Sequence, residues 1–99
     1  MESEKDTEKY LIKRTEALGG MCRKFTCPNV RGVPDQVCFF PKGIIVWVEV
    51  KSEGKQPEEH QVREIGRLIS LEQDARVVDT KSAVDQLIGE VEHELFRRL

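Results

Sequence analysis

What this sequence lacks narrows its class first. No apolar run comes near the roughly 20 residues of a membrane span. The longest, Ile44 to Val48, has the length of a strand. The opening Met-Glu-Ser-Glu-Lys-Asp is charged and has no apolar segment of the signal-peptide kind, which points to the cytosol and away from membranes. Cysteine is scarce and odd in number: Cys22, Cys27 and Cys38, with no C-x-x-C pair. That excludes a disulfide framework and a thiolate zinc site and leaves small, buried thiols. There are no internal repeats and no low-complexity tracts. With 34% charged and 38% hydrophobic residues, the 99-residue chain has the balance of one soluble globular domain spanning 1–99.

A strong positive charge is also missing, since the net charge is −2. Its distribution is uneven. Residues 1–56 carry ten Lys/Arg against eight Asp/Glu, and residues 57–99 carry six against ten. Lys9, Lys13, Arg14, Arg23, Lys24 and Arg31 form a basic run opposed only by Glu16. A phosphate backbone can follow such a surface, with Lys13, Arg23, Lys24 and Arg31 as the contacts. The same run also reads as a solvated mixed-charge face.

Local patterns give the order of elements. Ser3-x-x-Asp6 resembles a capping box, and the helix it opens runs to about Leu18, stopping at Gly19-Gly20. Leu11, Ile12, Thr15 and Leu18 form its stripe, and Glu8 shares that face. An acid there needs a metal or a cation, because unpaired burial is costly. Three short strands follow: Cys22 to Thr26, Gln36 to Phe40 and Ile44 to Val50. Pro41-Lys42-Gly43 makes a tight hairpin between the last two. Ile44 to Val48 is apolar on both faces, as in a central strand covered on two sides. Trp47 reads as core. Pro57 is placed in the first turn of a second helix, whose stripe is Gln61, Ile65, Leu68 and Glu72, with Val62 and Ile69 beside it. A fourth strand, Ala75 to Asp79, and a helix from Ser82 to Leu99 complete the chain. The order αβββαβα predicts an α/β (α+β) fold, a small mixed sheet flanked by helices on both faces.

The chemistry sits at the strand ends. Gly32-Val33-Pro34-Asp35 precedes the second strand, and Glu49-Val50-Lys51 ends the third. Alternation places Glu49 and Lys51 on one face. Asp35 and Glu49 are hard oxygen ligands suited to Mg²⁺ or Mn²⁺, and the Val50 carbonyl between the two side chains is a possible third. Lys51 either orients and helps deprotonate water or stabilises charge on phosphorus. Glu8 holds a second ion or anchors water. Gln61 reaches the phosphate or the water from the second helix. His60 points about 100° away from Gln61 on a helix and is given no catalytic role, nor is His93. The final helix has a wide apolar stripe, which either covers its own sheet or packs on a second subunit.

With these residues set out, the sequence resembles a known family. Gly32-Val33-Pro34-Asp35, the hairpin, Val48-Glu49-Val50-Lys51-Ser52 and His60-Gln61 look like the virus-type replication-repair nuclease (VRR-NUC) domain of the PD-(D/E)xK nuclease superfamily. Glu4-Lys5-x-x-Glu8-Lys9-Tyr10-Leu11 and Gly19-Gly20-x-x-Arg23-Lys24 are similar too, so the resemblance spans roughly 3–88. It implies a restriction-endonuclease-like fold and dependence on Mg²⁺ or Mn²⁺. It also implies ligands at Asp35, Glu49 and the Val50 carbonyl, a catalytic Lys51, and support from Glu8 and Gln61. Stand-alone members are typically phage or bacterial, often homodimeric, and act on branched DNA such as four-way (Holliday) junctions. Two positions depart from the family pattern. Gln36 stands where a basic residue commonly follows Pro-Asp, and Glu72-Gln73-Asp74 replaces the glycine that usually ends the second helix. The competing expectation is a DNA-binding accessory module on the same fold without turnover.

Overall fold

The computed structural model describes residues 1–99. Helix α1 (Glu4–Ala17) begins where Ser3 accepts the Asp6 amide with its hydroxyl, at 3.1 Å. It ends as Gly19 turns to φ +85°, so that the Gly20 amide can bond back to Thr15. Strands β1 (Met21–Lys24), β2 (Gln36–Phe40) and β3 (Ile44–Val50) form an antiparallel meander. A single 3-10 turn, Pro41–Gly43, joins β2 to β3. Helix α2 (Glu59–Ser70) carries the chain over to β4 (Asp74–Val78), which pairs parallel with β3. Helix α3 (Lys81–Arg97) ends the fold, capped by the Thr80 hydroxyl on the Ala83 amide. The sheet order is β1-β2-β3-β4, the mixed α/β architecture that the pattern predicts.

The two faces of the sheet differ. On one face, Cys38, Phe40, Ile44, Val46, Val48, Val50 and Val78 meet Leu11 of α1 and Val84, Leu87, Ile88 and Val91 of α3 in one continuous core. Helices α1 and α3 also pack on each other. The α3 stripe is thus used on its own sheet, leaving Phe96 and Leu99 exposed at its end. On the other face only α2 packs, over β4. Ile45, Trp47, Glu49 and Lys51 alternate toward that side, with Ile45 exposed and Trp47 half-buried. The two-sided cover expected for β3 therefore holds at its end and fails at its start. Trp47 stands outside the main core and meets Phe25 edge-on.

Several boundaries shift for local reasons. Pro57 lies outside α2; Glu58 is the N-cap in extended conformation, and its amide donates to Gln61 Oε1 at 2.8 Å. Helix α2 stops before Glu72, which sits in the left-handed region at φ +62° where the family pattern has glycine. Glu72 therefore does not share the helix stripe. Val62 and Ile69 face solvent, and Ile65 is the buried residue of α2. Strand β1 ends at Lys24, although the Phe25 amide still donates to the Asp35 carbonyl at 2.9 Å. Cys22 and Cys38 are cross-strand partners, buried, with sulfurs 2.7 Å apart, and both are free thiols.

Candidate active site

Antiparallel register brings the two motifs together. Gln36 pairs with Val48, so the next pair outward is Asp35 with Glu49. The Asp35 amide donates to Glu49 Oε1 at 3.3 Å. One turn into α2, Gln61 Nε2 donates to Glu49 Oε2 at 3.0 Å. Lys51 Nζ lies 3.6 Å from that same oxygen. Glu49 and Lys51 are only 5% and 6% exposed, an unusual burial for such side chains unless they are paired. Gln61 thus has two tasks. It reaches back to the start of its own helix, and it fixes the orientation of Glu49.

Gly32 explains why the loop and the helix meet. It has φ +90°, and a side chain there would come within 2.2 Å of the His60 carbonyl oxygen. Only glycine lets the Gly32-to-Asp35 turn lie against the first turn of α2. The sequence pattern alone signalled this glycine through its place before Pro-Asp. The close approach to His60, a residue dismissed for catalysis, was not readable. His60 contributes through its backbone.

The electrostatics are those of two acids confined together. Burial pushes the Asp35 carboxyl above its ordinary value, and Glu8 adds to this, while the Val50 backbone amide and Lys24 oppose it. Burial also raises Glu49, followed by the charge of Asp35, against which Lys51 works. Asp35 Oδ1 is buried with no hydrogen-bond partner. An orphaned carboxylate oxygen beside a second buried carboxylate is destabilising by itself. It fits a hard divalent cation, which takes oxygen ligands. No three His, Cys, Asp or Glu side chains converge anywhere in the chain. A cation at Asp35 and Glu49 would complete its shell from backbone carbonyl, such as that of Val50, and water.

The other predicted residues are placed as follows. Glu8 is paired with Lys24 at 3.3 Å, so its partner is a cation of β1. It acts on Asp35 through charge. Arg23 is exposed and donates to its own strand, at the Cys22 carbonyl, 2.8 Å. Lys13 and Arg31 are exposed. Arg14 leaves the basic run, because it is held by Asp85 and by the Tyr10 hydroxyl. A cleft of about 460 Å³ at the opposite end of β3 is lined by Asp74, Arg76, Glu90, Glu94 and Arg98. Its two arginines are paired with Asp74, Glu90 and Glu94.

No family model matches the chain. It is, however, 38% identical over 78 residues to "Putative nuclease p44" of Acyrthosiphon pisum secondary endosymbiont phage 1, a span of 79% of this chain and 84% of that protein. A solved VRR-NUC domain superposes with a TM-score of 0.83 at 37% identity, covering 90% of this chain and 97% of the other. The chain belongs to the VRR-NUC family. Its fold and its nuclease class follow from that membership. The VRR-NUC fold implies a divalent cation, in keeping with the donor set at the β2–β3 fork.

Proposed function

We propose that this VRR-NUC protein, a single nuclease domain over 1–99, is a Mg²⁺- or Mn²⁺-dependent endonuclease. It hydrolyses DNA phosphodiesters at the site formed by Asp35, Glu49, Lys51 and Gln61. The observation that carries the reading is the unpartnered Asp35 Oδ1 beside a Glu49 carboxylate held by Gln61 and Lys51. Asp35, Glu49 and the Val50 carbonyl would hold the cation. When bound, it would neutralise phosphoryl oxygens and lower the pKa of the attacking water. Lys51 is an ammonium with three protons to donate. One is directed at Glu49, and the others are available to a phosphoryl oxygen or to water. Gln61 keeps Glu49 from rotating away. Glu8 acts at one remove, by orienting Lys24 and by loading the site with negative charge.

Lys13, Arg23, Lys24 and Arg31 are the contacts for the DNA backbone. Branched DNA, including four-way junctions, is the preferred substrate, cut by a homodimer with one site for each strand. The setting is replication or repair of phage or bacterial DNA in the cytoplasm.

The direct test is cleavage of labelled duplex, flap and four-way-junction DNA with Mg²⁺, Mn²⁺ or EDTA, comparing parent and Lys51→Ala. Junction cutting that needs metal and falls about 10²- to 10⁴-fold in the variant supports the assignment. Undiminished cutting by Lys51→Ala, or cutting in EDTA, removes it. DNA binding without cutting by the parent favours the accessory-module reading.

A further inference from the structure

Phe25 is an aromatic residue bonded directly to the acid-bearing strand, and the catalytic set does not use it. Its amide donates to the Asp35 carbonyl at 2.9 Å, so it is the cross-strand neighbour of that acid. Its ring meets Trp47 edge-on, with centroids 5.0 Å apart and planes at 85°. Trp47, Glu49 and Lys51 are alternate residues of one strand. They share a face, and Trp47 lies one strand repeat, about 6.6 Å, from Glu49. Yet Phe25 is 38% exposed, just past the end of the edge strand β1 and on the far side of the sheet from β4, where α2 packs. A perpendicular contact with Trp47 can cover at most one face of the Phe25 ring and leaves the other to a ligand. Two exposed cations are close to it in the fold's connectivity: Arg23, two residues earlier on the same face of β1, and Arg31 in the loop that leads to its cross-strand neighbour Asp35.

An exposed aromatic ring flanked by arginines and adjacent to a phosphodiester site has the composition of a single-strand binding platform. The arginines match phosphates. The ring matches a base that has left its own stack. A continuous duplex offers no such base, since each is covered by its neighbours. We infer that Phe25 stacks on an unpaired base next to the cleaved phosphate, buttressed by Trp47, and so directs the enzyme to DNA with unpaired nucleotides at the cut. This rests on the nuclease reading above and names the feature of the substrate that the site selects.

The test uses a Lys51→Ala background with Mg²⁺ present, in which binding is read without turnover. Two probes are compared: a continuous duplex, and the same duplex with a short single-stranded gap containing 2-aminopurine. Trp47 is the only tryptophan, so its fluorescence reports on the same contact. Adding Phe25→Ala or Phe25→Leu should weaken gapped-DNA binding about 5- to 140-fold, the range known for loss of one stacked base. Phe25→Trp should stay within about threefold of Phe25. Duplex affinity should be unchanged in all three, and circular dichroism should show the same fold. Equal loss on both probes would make Phe25 a structural residue. Phe25→Leu binding as well as Phe25→Trp would reduce it to an apolar filler. A parent that does not prefer the gap, or Phe25→Ala binding gapped DNA undiminished, would overturn the inference outright. Cleavage persisting in the Lys51→Ala background is the separate signature of a wrong catalytic assignment.

Discussion

Strand β3 borders two quite different regions. Ile44, Val46, Val48 and Val50 enter the closed core under α1 and α3; Trp47, Glu49 and Lys51, their immediate neighbours in sequence, line the half-open face under α2. The first region is mainly apolar, with two thiols and the buried but uncharged side chains of Thr7, Thr15 and Gln36. The second contains two acids with raised pKa, a buried ammonium and an orphaned oxygen. One strand can serve both because its side chains alternate. The difference teaches that the closed face stabilises the fold while the open face draws on that stability to hold groups that would rather be in water.

The sharpest way to break this contrast is to damage the closed face alone. Leu87 has no exposed surface. Leu87→Ala should destabilise by about 3–5 kcal/mol in urea unfolding while the folded protein keeps its cleavage rate. A lost rate in fully folded Leu87→Ala would mean that the two faces are coupled.

Gly32→Ala tests the seam between the acid-bearing loop and α2. Its new methyl group would strike the His60 carbonyl in a backbone conformation that disfavours alanine. A loss of more than about 1 kcal/mol is expected, together with a fall in cleavage, because Asp35 and Gln61 would move apart. A variant with parental melting temperature and rate would show that this close approach is not required.

Asp35→Asn should act in the opposite direction on stability. Both carboxyls titrate higher in the folded chain than in the unfolded one. Their contribution is therefore fully favourable below the unfolded value of about 4, and declines as pH rises through the folded values. In metal-free buffer at pH 7 the variant should gain about 1 kcal/mol, a gain that disappears near pH 4. Mg²⁺ should raise the melting temperature of the parent and leave that of the variant where it is. A variant less stable than the parent at pH 7 would mean that the acids are not in conflict.

Gln61→Ala gives the smallest effect on stability. It removes the bond to Glu49 and the bond to the Glu58 amide, costing about 1 kcal/mol. Cleavage should fall about tenfold, as expected when a catalytic group loses its orienting partner. If only stability changed, Gln61 would be a helix cap and nothing more.

Much of this was legible in the residues. The capping signals of α1, the hairpin and the continuous apolar run before Glu49 gave the element order, because those patterns depend on neighbours in sequence. The pairing of Glu49 with Lys51 followed from the two-residue period of a strand. The placement of Glu8 and Arg14 was not legible. Their partners, Lys24 and Asp85, lie 16 and 71 residues away, and a helix stripe does not say which cation will face it. The end of α2 misled for a similar reason. Glu72 continues the apolar spacing of the helix, but the chain must turn there to enter β4, and it does so at a positive φ.

By itself, then, the sequence determined which groups lie on one side of a strand and where helices start, since local geometry decides both. Tertiary structure alone decided that Asp35 would sit opposite Glu49 with one oxygen unpartnered, that Gln61 would reach across from another helix, and that Phe25 would remain uncovered beside them. Those facts depend on the register between strands and on where α2 stops covering the sheet, which are properties of packing between segments distant in the chain.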